Sequence, residues 1–209
     1  MDYKVELFKW FLSVITLLAM ALVGWFISLK TAEKVELNKQ KIAVNSLYID
    51  IELLNEKLRA VLTPYCNAYV KLLRWDKGTI IDLRILKYVP WNISKDMGWN
   101  SLTKEQKFAL TLLNDYLNTA YEGYIKLNRL WESKDENTQI ISDMLGHHKS
   151  IINLLSASYV LTTRFCNDKD RLIKESYLPT DSEPKKNVKL ALDAVGFDVE
   201  KDSIKSLVD

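Results

Sequence analysis

The amino-acid sequence predicts an all-α protein in which a single N-terminal transmembrane helix continues into a cytoplasmic helical bundle of long helices. Three observations predict this fold class. Residues 10–29 contain no charged side chain. Farther along the chain, apolar residues recur in steps of three and four, which is the spacing of one helix face. The 209 residues include only 6 Gly and 4 Pro, fewer than a turn-rich β protein needs.

The uncharged segment is long enough to cross a bilayer. At 1.5 Å per residue, a helix over residues 10–29 covers roughly 30 Å, the thickness of the hydrocarbon core. Trp10 and Trp25 lie towards its ends, where aromatic side chains favour the membrane interface. The sequence therefore predicts a retained transmembrane helix, preceded by a short N-terminal tail at residues 1–9.

Two alternatives to a retained transmembrane helix are open. One is a cleaved signal peptide, because Ala19-Met20-Ala21 resembles a cleavage site. The other is a buried helix of a soluble protein. The apolar run continues to Leu29, and the acidic residues Asp2 and Glu6 precede it. Both features disfavour a signal peptide.

Lysine residues flank the uncharged segment unequally. Two precede it and four follow it closely, namely Lys4 and Lys9 before, and Lys30, Lys34, Lys39 and Lys41 after. The more positive side of a membrane helix usually faces the cytoplasm. This predicts a single-pass protein of the cell inner membrane with a cytoplasmic C-terminal domain.

Mostly small or polar residues share one side of the predicted transmembrane helix. They are Ser13, Thr16, Met20, Gly24, Ser28 and Thr31. This side either packs closely on another helix, with Gly24 and Ser28 in contact, or lines a water-filled path in an oligomer; chance is the third explanation. The first two require a partner helix. Together with the heptad pattern that follows, they predict a homo-oligomer of three to five chains.

Residues 30–62 form a connecting helix with an a/d-type apolar pattern. Its apolar positions are Val44, Leu47, Ile51, Leu54, Leu58 and Val61, and Tyr65, Ala68 and Leu72 keep the same spacing. Thr63 suits an N-cap and Pro64 suits the first helical position. This dipeptide therefore predicts either a kink or the start of a new helix that ends near Trp75.

Residues 63–178 are predicted to form the helical bundle and to act as a sensor domain. Residues 79–89 allow a strand or a short helix, of which the helix is favoured, and a loop follows at 90–100. Thr103 and Gln106 have the spacing of a capping box. The helix after it has an apolar side made of Leu110, Leu113, Leu117, Ala120, Tyr124, Leu127 and Trp131.

A polar turn at residues 132–139 precedes one more long helix, from about residue 139 to 177. One side of it is predicted to contain Ile141, Leu145, His148, Ile152, Leu155, Tyr159 and Thr162. Residues 179–209 form a C-terminal region, in which 179–187 is a charged linker and a short helix then ends at Gly196.

No motif in the chain indicates catalysis. It contains no glycine-rich phosphate loop, no HExxH and no nucleophile elbow. His147 and His148 are neighbours on a helix, so they point about 100° apart and cannot readily bind one metal together; we expect a surface or partly buried pair. Cys66 and Cys166 form no CxxC pair and suit a reducing cytosol, with one disulfide as the alternative. The sequence therefore predicts no enzyme activity, no cofactor and no metal site.

A local cluster of cations and aromatic residues predicts a ligand site. It comprises Lys71, Arg74, Trp75, Lys77, Arg84 and Lys87. With Lys+Arg 29 against Asp+Glu 27, the chain has no strong overall field, so any basic site must be local. Cations among stacking aromatics suit a nucleotide or short single-stranded nucleic acid. The alternatives are ordinary cations around an aromatic core and attraction to anionic lipid.

This plan resembles the small membrane effectors of bacterial anti-phage systems, and among them the channel subunit of Hailong-type systems. The resemblance rests on the residues from Ser13 to Thr31, the heptad-patterned helix after them, and the helices rich in Tyr, Trp, Lys and Arg. It covers the whole plan and includes no signature motif. It implies an oligomer that compromises the membrane when triggered and that is held by an oligonucleotide made by a partner nucleotidyltransferase.

Two functions are therefore expected as alternatives. The first is a homo-oligomeric membrane effector that forms or gates an ion-permeable pore under ligand control, with a partner protein encoded in the same operon. The second is a non-catalytic, membrane-tethered scaffold that recruits a cytoplasmic partner protein. A scaffold should tolerate replacement of residues 10–29 by polyleucine, whereas an effector should not.

Overall fold

The protein consists of four helices in the residues that its structure, a computed structural model, describes. These residues are 3–74, 99, 102–132, 138–167 and 183–196. The helices are α1 (Tyr3–Arg74), α2 (Lys104–Glu132), α3 (Thr138–Asn167) and α4 (Glu183–Ala194). All regular secondary structure in these residues is helical, which confirms the all-α class. The predicted short helix or strand at 79–89 and most of the loop at 90–100 lie outside the described residues.

Helix α1 is a single helix of 72 residues, which corresponds to a length of roughly 108 Å. Residues 3–9 of the expected tail are helical, and of the two alternatives at Thr63 and Pro64 the start of a new helix is wrong, because α1 continues through both residues. Pro64 lies inside α1, although its ring cannot donate the usual bond to the carbonyl of Ala60. Leu62 and Tyr65, on either side of Pro64, are both buried. Core packing on both sides of the proline therefore holds the helix together.

The a/d-type pattern of α1, which contributed to the expectation of a homo-oligomer, forms the inner side of the C-terminal half of the helix. Ile51, Leu54 and Leu58 are buried almost completely, and Val44 is half-buried at the upstream end of the pattern. These side chains pack within the chain, where α1 contacts α3. The pattern is consequently used inside one molecule and is not a free surface for a second copy.

Helix α3 is the central element, since α1, α2 and α4 all pack against it. Asn55 of α1 bonds to α3 near Thr162, whereas Tyr65 of α1 stacks on His148. The later residue of α1 thus contacts the earlier residue of α3, so the two helices are antiparallel. We call residues 44–74 together with α2, α3 and α4 the helical body.

Helix α2 runs parallel to α1. Gln106 near its start donates a hydrogen bond to Tyr48 at 3.1 Å, and Tyr124 near its end interacts electrostatically with Tyr65. Earlier residues of α1 thus lie near earlier residues of α2, and later residues lie near later ones. Because α1 and α3 are antiparallel, α2 is also antiparallel to α3. The ends of α1 and α2 and the start of α3 therefore lie at the same end of the helical body.

The capping box at the start of α2 is confirmed. The backbone N–H of Gln106 donates to Thr103 Oγ1 at 3.2 Å, and the backbone N–H of Thr103 donates to Gln106 Oε1 at 3.0 Å. This exchange satisfies two backbone donors that a helix start otherwise leaves free. The predicted apolar side of α2 is also confirmed, since all its members are buried except Tyr124 and Trp131, which are half-buried.

Helices α3 and α4 differ from prediction mainly at their ends. α3 is described from Thr138 to Asn167, and the rest of the predicted helix to 177 lies outside the described residues. α4 begins at Glu183, so the second half of the expected linker at 179–187 is helical. Pro184 lies in the first turn, where proline is compatible with a helix. Gly196 follows the helix with a φ of 76°, a conformation that glycine adopts without strain.

Candidate functional site

The first candidate site is the apolar segment at residues 10–29 of α1. The described part of the chain contains one helix that is long and apolar enough to cross a membrane, and its most apolar stretch is entirely unburied. A signal sequence near the N-terminus meets the same criterion of length and composition. Within this chain, no other described element covers the segment. Its apolar side chains therefore need a lipid or protein environment that one folded chain does not supply.

The small or polar side of this segment is exposed along its whole length. All the predicted members, Ser13, Thr16, Met20, Gly24 and Ser28, are exposed. A Cβ atom added at Gly24 would meet nothing within 4 Å. A neighbouring helix can therefore approach the backbone at this point more closely than at the large apolar side chains elsewhere on the segment.

The hydroxyl groups on this side are satisfied inside α1. Ser13 Oγ donates to the carbonyl of Lys9 at 3.0 Å, and Thr16 Oγ1 donates to the carbonyl of Leu12 at 2.8 Å. Thr31 makes the same kind of bond to Ile27 at 2.8 Å. Such bonds leave no unsatisfied O–H group in an apolar environment. The hydroxyl oxygens still have lone pairs with which to accept a hydrogen bond.

The second candidate site is the basic end of the helical body. Lys71 and Arg74 are exposed in the last turns of α1, and Lys126 and Arg129 are exposed near the end of α2. Because α1 and α2 are parallel, all four cations lie at the same end. The other predicted ligand residues, Trp75, Lys77, Arg84 and Lys87, lie outside the described residues. Cations near helix C-termini also interact favourably with the helix dipole, so these four side chains would stabilise α1 and α2 even without a ligand.

The interior of the helical body contains a histidine that contacts two tyrosines of α1. His148 is completely buried and stacks on Tyr65 with ring centroids 4.7 Å apart. The ring of Tyr69 is tilted by 45° relative to that of His148, with ring centroids 6.3 Å apart. Neither ring nitrogen of His148 makes a hydrogen bond in the described part of the chain. The expectation of a surface or partly buried pair is wrong for His148, and only His147 is half-buried.

Burial sets the protonation of this interior cluster. Burial lowers the pKa of His148 to about 4 because water no longer stabilises the charged ring. Burial, with smaller effects of Cys66 and Tyr124, raises the pKa of the Tyr65 hydroxyl. Burial also raises the pKa of the Cys66 thiol to about 12. Near neutral pH, His148 is uncharged, and Cys66 is a protonated thiol, which is not the nucleophilic form of cysteine.

The cysteines and metal-binding side chains do not form a further site among the described residues. Cys66 and Cys166 are both free. Cys66 is next to Tyr65, whose ring stacks on His148. Cys166 lies 18 residues beyond His148 along α3, or roughly 27 Å away. This separation rules out the disulfide alternative. No group of three or more His, Cys, Asp or Glu residues that could hold a metal occurs in the described ranges.

Comparison of the chain with protein-family models, with curated proteins and with solved structures finds no match.

Proposed function

We propose that this chain is a homo-oligomeric effector of the inner membrane, in which residues 10–29 span the bilayer and form or gate an ion-permeable pore. The observation that carries the proposal is the exposed, uncharged segment with small or polar residues on one side. The large apolar residues on its other side suit lipid. The small side allows helices to approach closely, so it favours an oligomer over an isolated anchor.

The proposed pore uses the side from Ser13 to Ser28. Gly24 has no side chain to block a path, and hydroxyl oxygens can replace part of the hydration of an ion. The O–H groups of Ser13 and Thr16 are already bonded within α1. Their oxygens can therefore accept a bond from water or contact a cation while the helix itself stays intact.

The helical body is proposed to be a cytoplasmic, non-catalytic bundle that receives a ligand. Lys71 follows Leu29 by 42 residues, or roughly 63 Å along a straight helix. Electrostatic attraction to lipid fades over roughly 10 Å at physiological salt, so anionic lipid is a poor partner for the basic end. A soluble phosphate-bearing molecule, such as a nucleotide or short oligonucleotide, suits Lys71, Arg74 and the cations of α2 better. The resemblance to anti-phage effectors suggests that an operon partner makes this ligand.

Membrane potential measured on overexpression tests the proposal, with two substitutions on opposite sides of the span. The parent chain should depolarise bacterial membranes. Gly24→Leu should abolish this effect, because a large side chain blocks the path or separates the helices. Leu22→Ile, on the lipid side, preserves volume and should leave at least about nine-tenths of the effect, since it removes no contact. If the parent chain leaves the potential unchanged, pore formation is wrong.

A finer substitution separates pore lining from helix packing. Thr16→Val keeps the shape of the side chain and removes its hydroxyl. Lower conductance with an unchanged oligomer size would indicate that the hydroxyl contacts permeating ions or water. A change in oligomer size would indicate packing instead, so detergent-solubilised oligomers should be sized alongside each conductance measurement.

The membrane-tethered scaffold is a second candidate, and one observation favours it. Because the hydroxyl groups of Ser13, Thr16 and Thr31 are satisfied within α1, the segment needs no polar partner in order to reside in lipid. A scaffold would retain its activity after residues 10–29 are replaced by polyleucine. An effector would lose its activity after the same replacement.

A further inference from the structure

Helix α1 has two opposite sides, and only one of them is covered. The side buried in the helical body contains Leu47, Ile51, Leu54, Leu58 and Leu62. On the other side, Ile42 is 69% exposed, Ile49 is 56% exposed and Leu53 is 55% exposed. Advancing about 100° per residue places the centres of these two sets roughly 160° apart. The exposed apolar residues therefore lie on the side of α1 that faces away from α3.

The exposed side continues without interruption into the apolar segment. At the same 100° per residue, the directions of Gly24, Ser28 and Thr31 around the helix axis lie within about 40° of that of Ile42. Val35, which is 48% exposed, lies between them and Ile42 on the same side. We call Val35, Ile42, Ile49 and Leu53 the back stripe of α1. Because α1 is one helix, the back stripe and the small side of the span form a single surface.

The segment between the span and the helical body is a helix without neighbours. From residue 30 to 42, every side chain is exposed except Gln40, which is half-buried. An isolated helix of this length is only marginally stable in water. Val35 and Ile42 also leave apolar surface in contact with solvent. This segment would be stabilised by a partner that covers the back stripe.

We propose that the back stripe is covered by a second copy of this chain, in parallel and in register, with the helical bodies on the outside. The inference rests on the proposed function, because it extends the association of the spans into the extramembrane part of α1. Lipid cannot cover Leu53, which lies roughly 36 Å beyond Leu29 along the helix. A soluble partner cannot cover the span. A second copy carries both surfaces, at the same height and in the same orientation.

The charges beside the back stripe suit this parallel arrangement. Glu52 and Lys57 are exposed and lie on opposite flanks of the stripe, five residues apart. In a parallel coiled coil, flanking positions of this kind on neighbouring helices form interhelical ion pairs. Lys57 of one copy can therefore lie near Glu52 of the next and add to the interaction that Glu52 already makes within its own chain. An antiparallel arrangement would place neither residue opposite its counterpart and would also reverse one of the spans.

Disulfide cross-linking of the full chain in native membranes tests this interface, with a matched pair of cysteine variants. Ile42→Cys lies on the back stripe, and Leu37→Cys lies about 140° away in the same exposed segment. Ile42→Cys should give at least tenfold more homodimer than Leu37→Cys. The parent chain provides the background from Cys66 and Cys166. Equal cross-linking at both positions, no homodimer at either, or an adduct with another protein would overturn the proposal.

Charge substitutions check the register without altering the buried core. In the Ile42→Cys background, Glu52→Lys should reduce the homodimer several-fold, and adding Lys57→Glu should restore it. Homodimer that is insensitive to both changes would overturn the parallel, in-register arrangement. Cross-linking through Gly24→Cys but not Ile42→Cys would contradict the back stripe and leave the pore proposal intact. Cross-linking through Ile42→Cys without depolarisation by the parent chain would contradict the pore proposal and leave the back stripe intact.

Discussion

The two halves of α1 show how one helical pattern can have two different structural outcomes. Both halves have apolar residues at helical spacing. Between residues 44 and 72, one side is buried because α3 lies beside it; before residue 43, no described element covers any side. The pattern thus indicates that a helix has an apolar side. It does not indicate whether that side meets the same chain, another chain or lipid.

The polar groups of the two halves differ in the same way. In the N-terminal half, Ser13 and Thr16 bond to their own helix. In the C-terminal half, the Asn55 amide crosses to α3, where it donates to Thr162 Oγ1 at 2.9 Å and to Thr163 Oγ1 at 2.7 Å. The first kind of bond leaves the helix free to choose its partner. The second kind fixes the alignment of α1 against α3.

The largest expected effect comes from removing packing in only one half of α1. Leu58→Ala should lower the free energy of unfolding by about 2 to 5 kcal/mol, because Leu58 is fully buried and the substitution leaves a cavity. Leu37→Ala, at a site 50% exposed, should change it by less than about 0.5 kcal/mol. Urea unfolding of the detergent-solubilised chain measures both. Similar losses in the two variants would contradict the difference between the halves.

Acid should destabilise the helical body through His148. The pKa of His148 is lowered from 6.5 to about 4, so the unfolded chain binds a proton at a higher pH than the folded chain does. The contribution of neutral, buried His148 to the free energy of unfolding is therefore complete above pH 6.5. It declines as the pH falls towards 4 and is lost below that. The expected loss is about 3 kcal/mol.

The measurement that isolates His148 compares the parent chain with His148→Leu. Unfolding in urea at pH 7, 5.5 and 4 gives the pH dependence of each, and the difference removes the contribution of the carboxyl groups. The variant should lose less stability on acidification than the parent does. Identical pH profiles would show that His148 titrates as it does in the unfolded chain.

The bond between α1 and α3 should matter more than a bond within α1. Asn55→Ala should cost about 1 to 3 kcal/mol, because it removes the amide that bonds to Thr162 and Thr163. Thr31→Val, which removes an exposed bond to its own helix, should cost less than about 0.5 kcal/mol. Thermal unfolding monitored by circular dichroism distinguishes these values. An equally small effect of Asn55→Ala would mean that apolar packing alone aligns the helices.

The smallest expected effect comes from two glycines with different surroundings in the helical body. Gly146→Ala should raise stability by about 0.5 to 1 kcal/mol, since alanine favours a helix and nothing lies within 4 Å of the added Cβ. At Gly123 the Cβ would lie 3.1 Å from Cγ1 of Ile151, so Gly123→Ala should gain less or lose stability. If Gly123→Ala stabilises as much as Gly146→Ala does, Ile151 moves aside at little cost and the contact between α2 and α3 at Gly123 is not tight.

Much of the fold could be predicted from local sequence patterns. The capping box at Thr103 and Gln106 depends on residues three apart, and its hydrogen bonds occur as expected. The inner sides of α1, α2 and α3 follow from apolar spacing. His148 has helical spacing to Ile152, so the two share one side of α3. The expectation of a surface or partly buried histidine pair is wrong for His148, because a neutral histidine can be buried against aromatic rings.

The candidate sites could be predicted only where they depend on one helix. The small or polar side from Ser13 to Ser28 is a property of α1 alone, and it is exposed in the single chain. The basic end needed tertiary structure, because Lys71 and Lys126 are far apart in the sequence and share an end only through the parallel course of α1 and α2. The continuation of α1 through Pro64 also depends on packing against distant residues.

The sequence by itself determined which segments are helical, which side of each helix is apolar and where an uncharged segment suits a membrane. These properties follow from interactions between residues up to four apart, so they can be read along the chain. Only the tertiary structure decided that α3 covers the a/d-type side of α1, that His148 is buried, and that the back stripe remains exposed. Each of these depends on contacts between residues distant in sequence, whose pairing is set by how the helices fit together and not by local spacing.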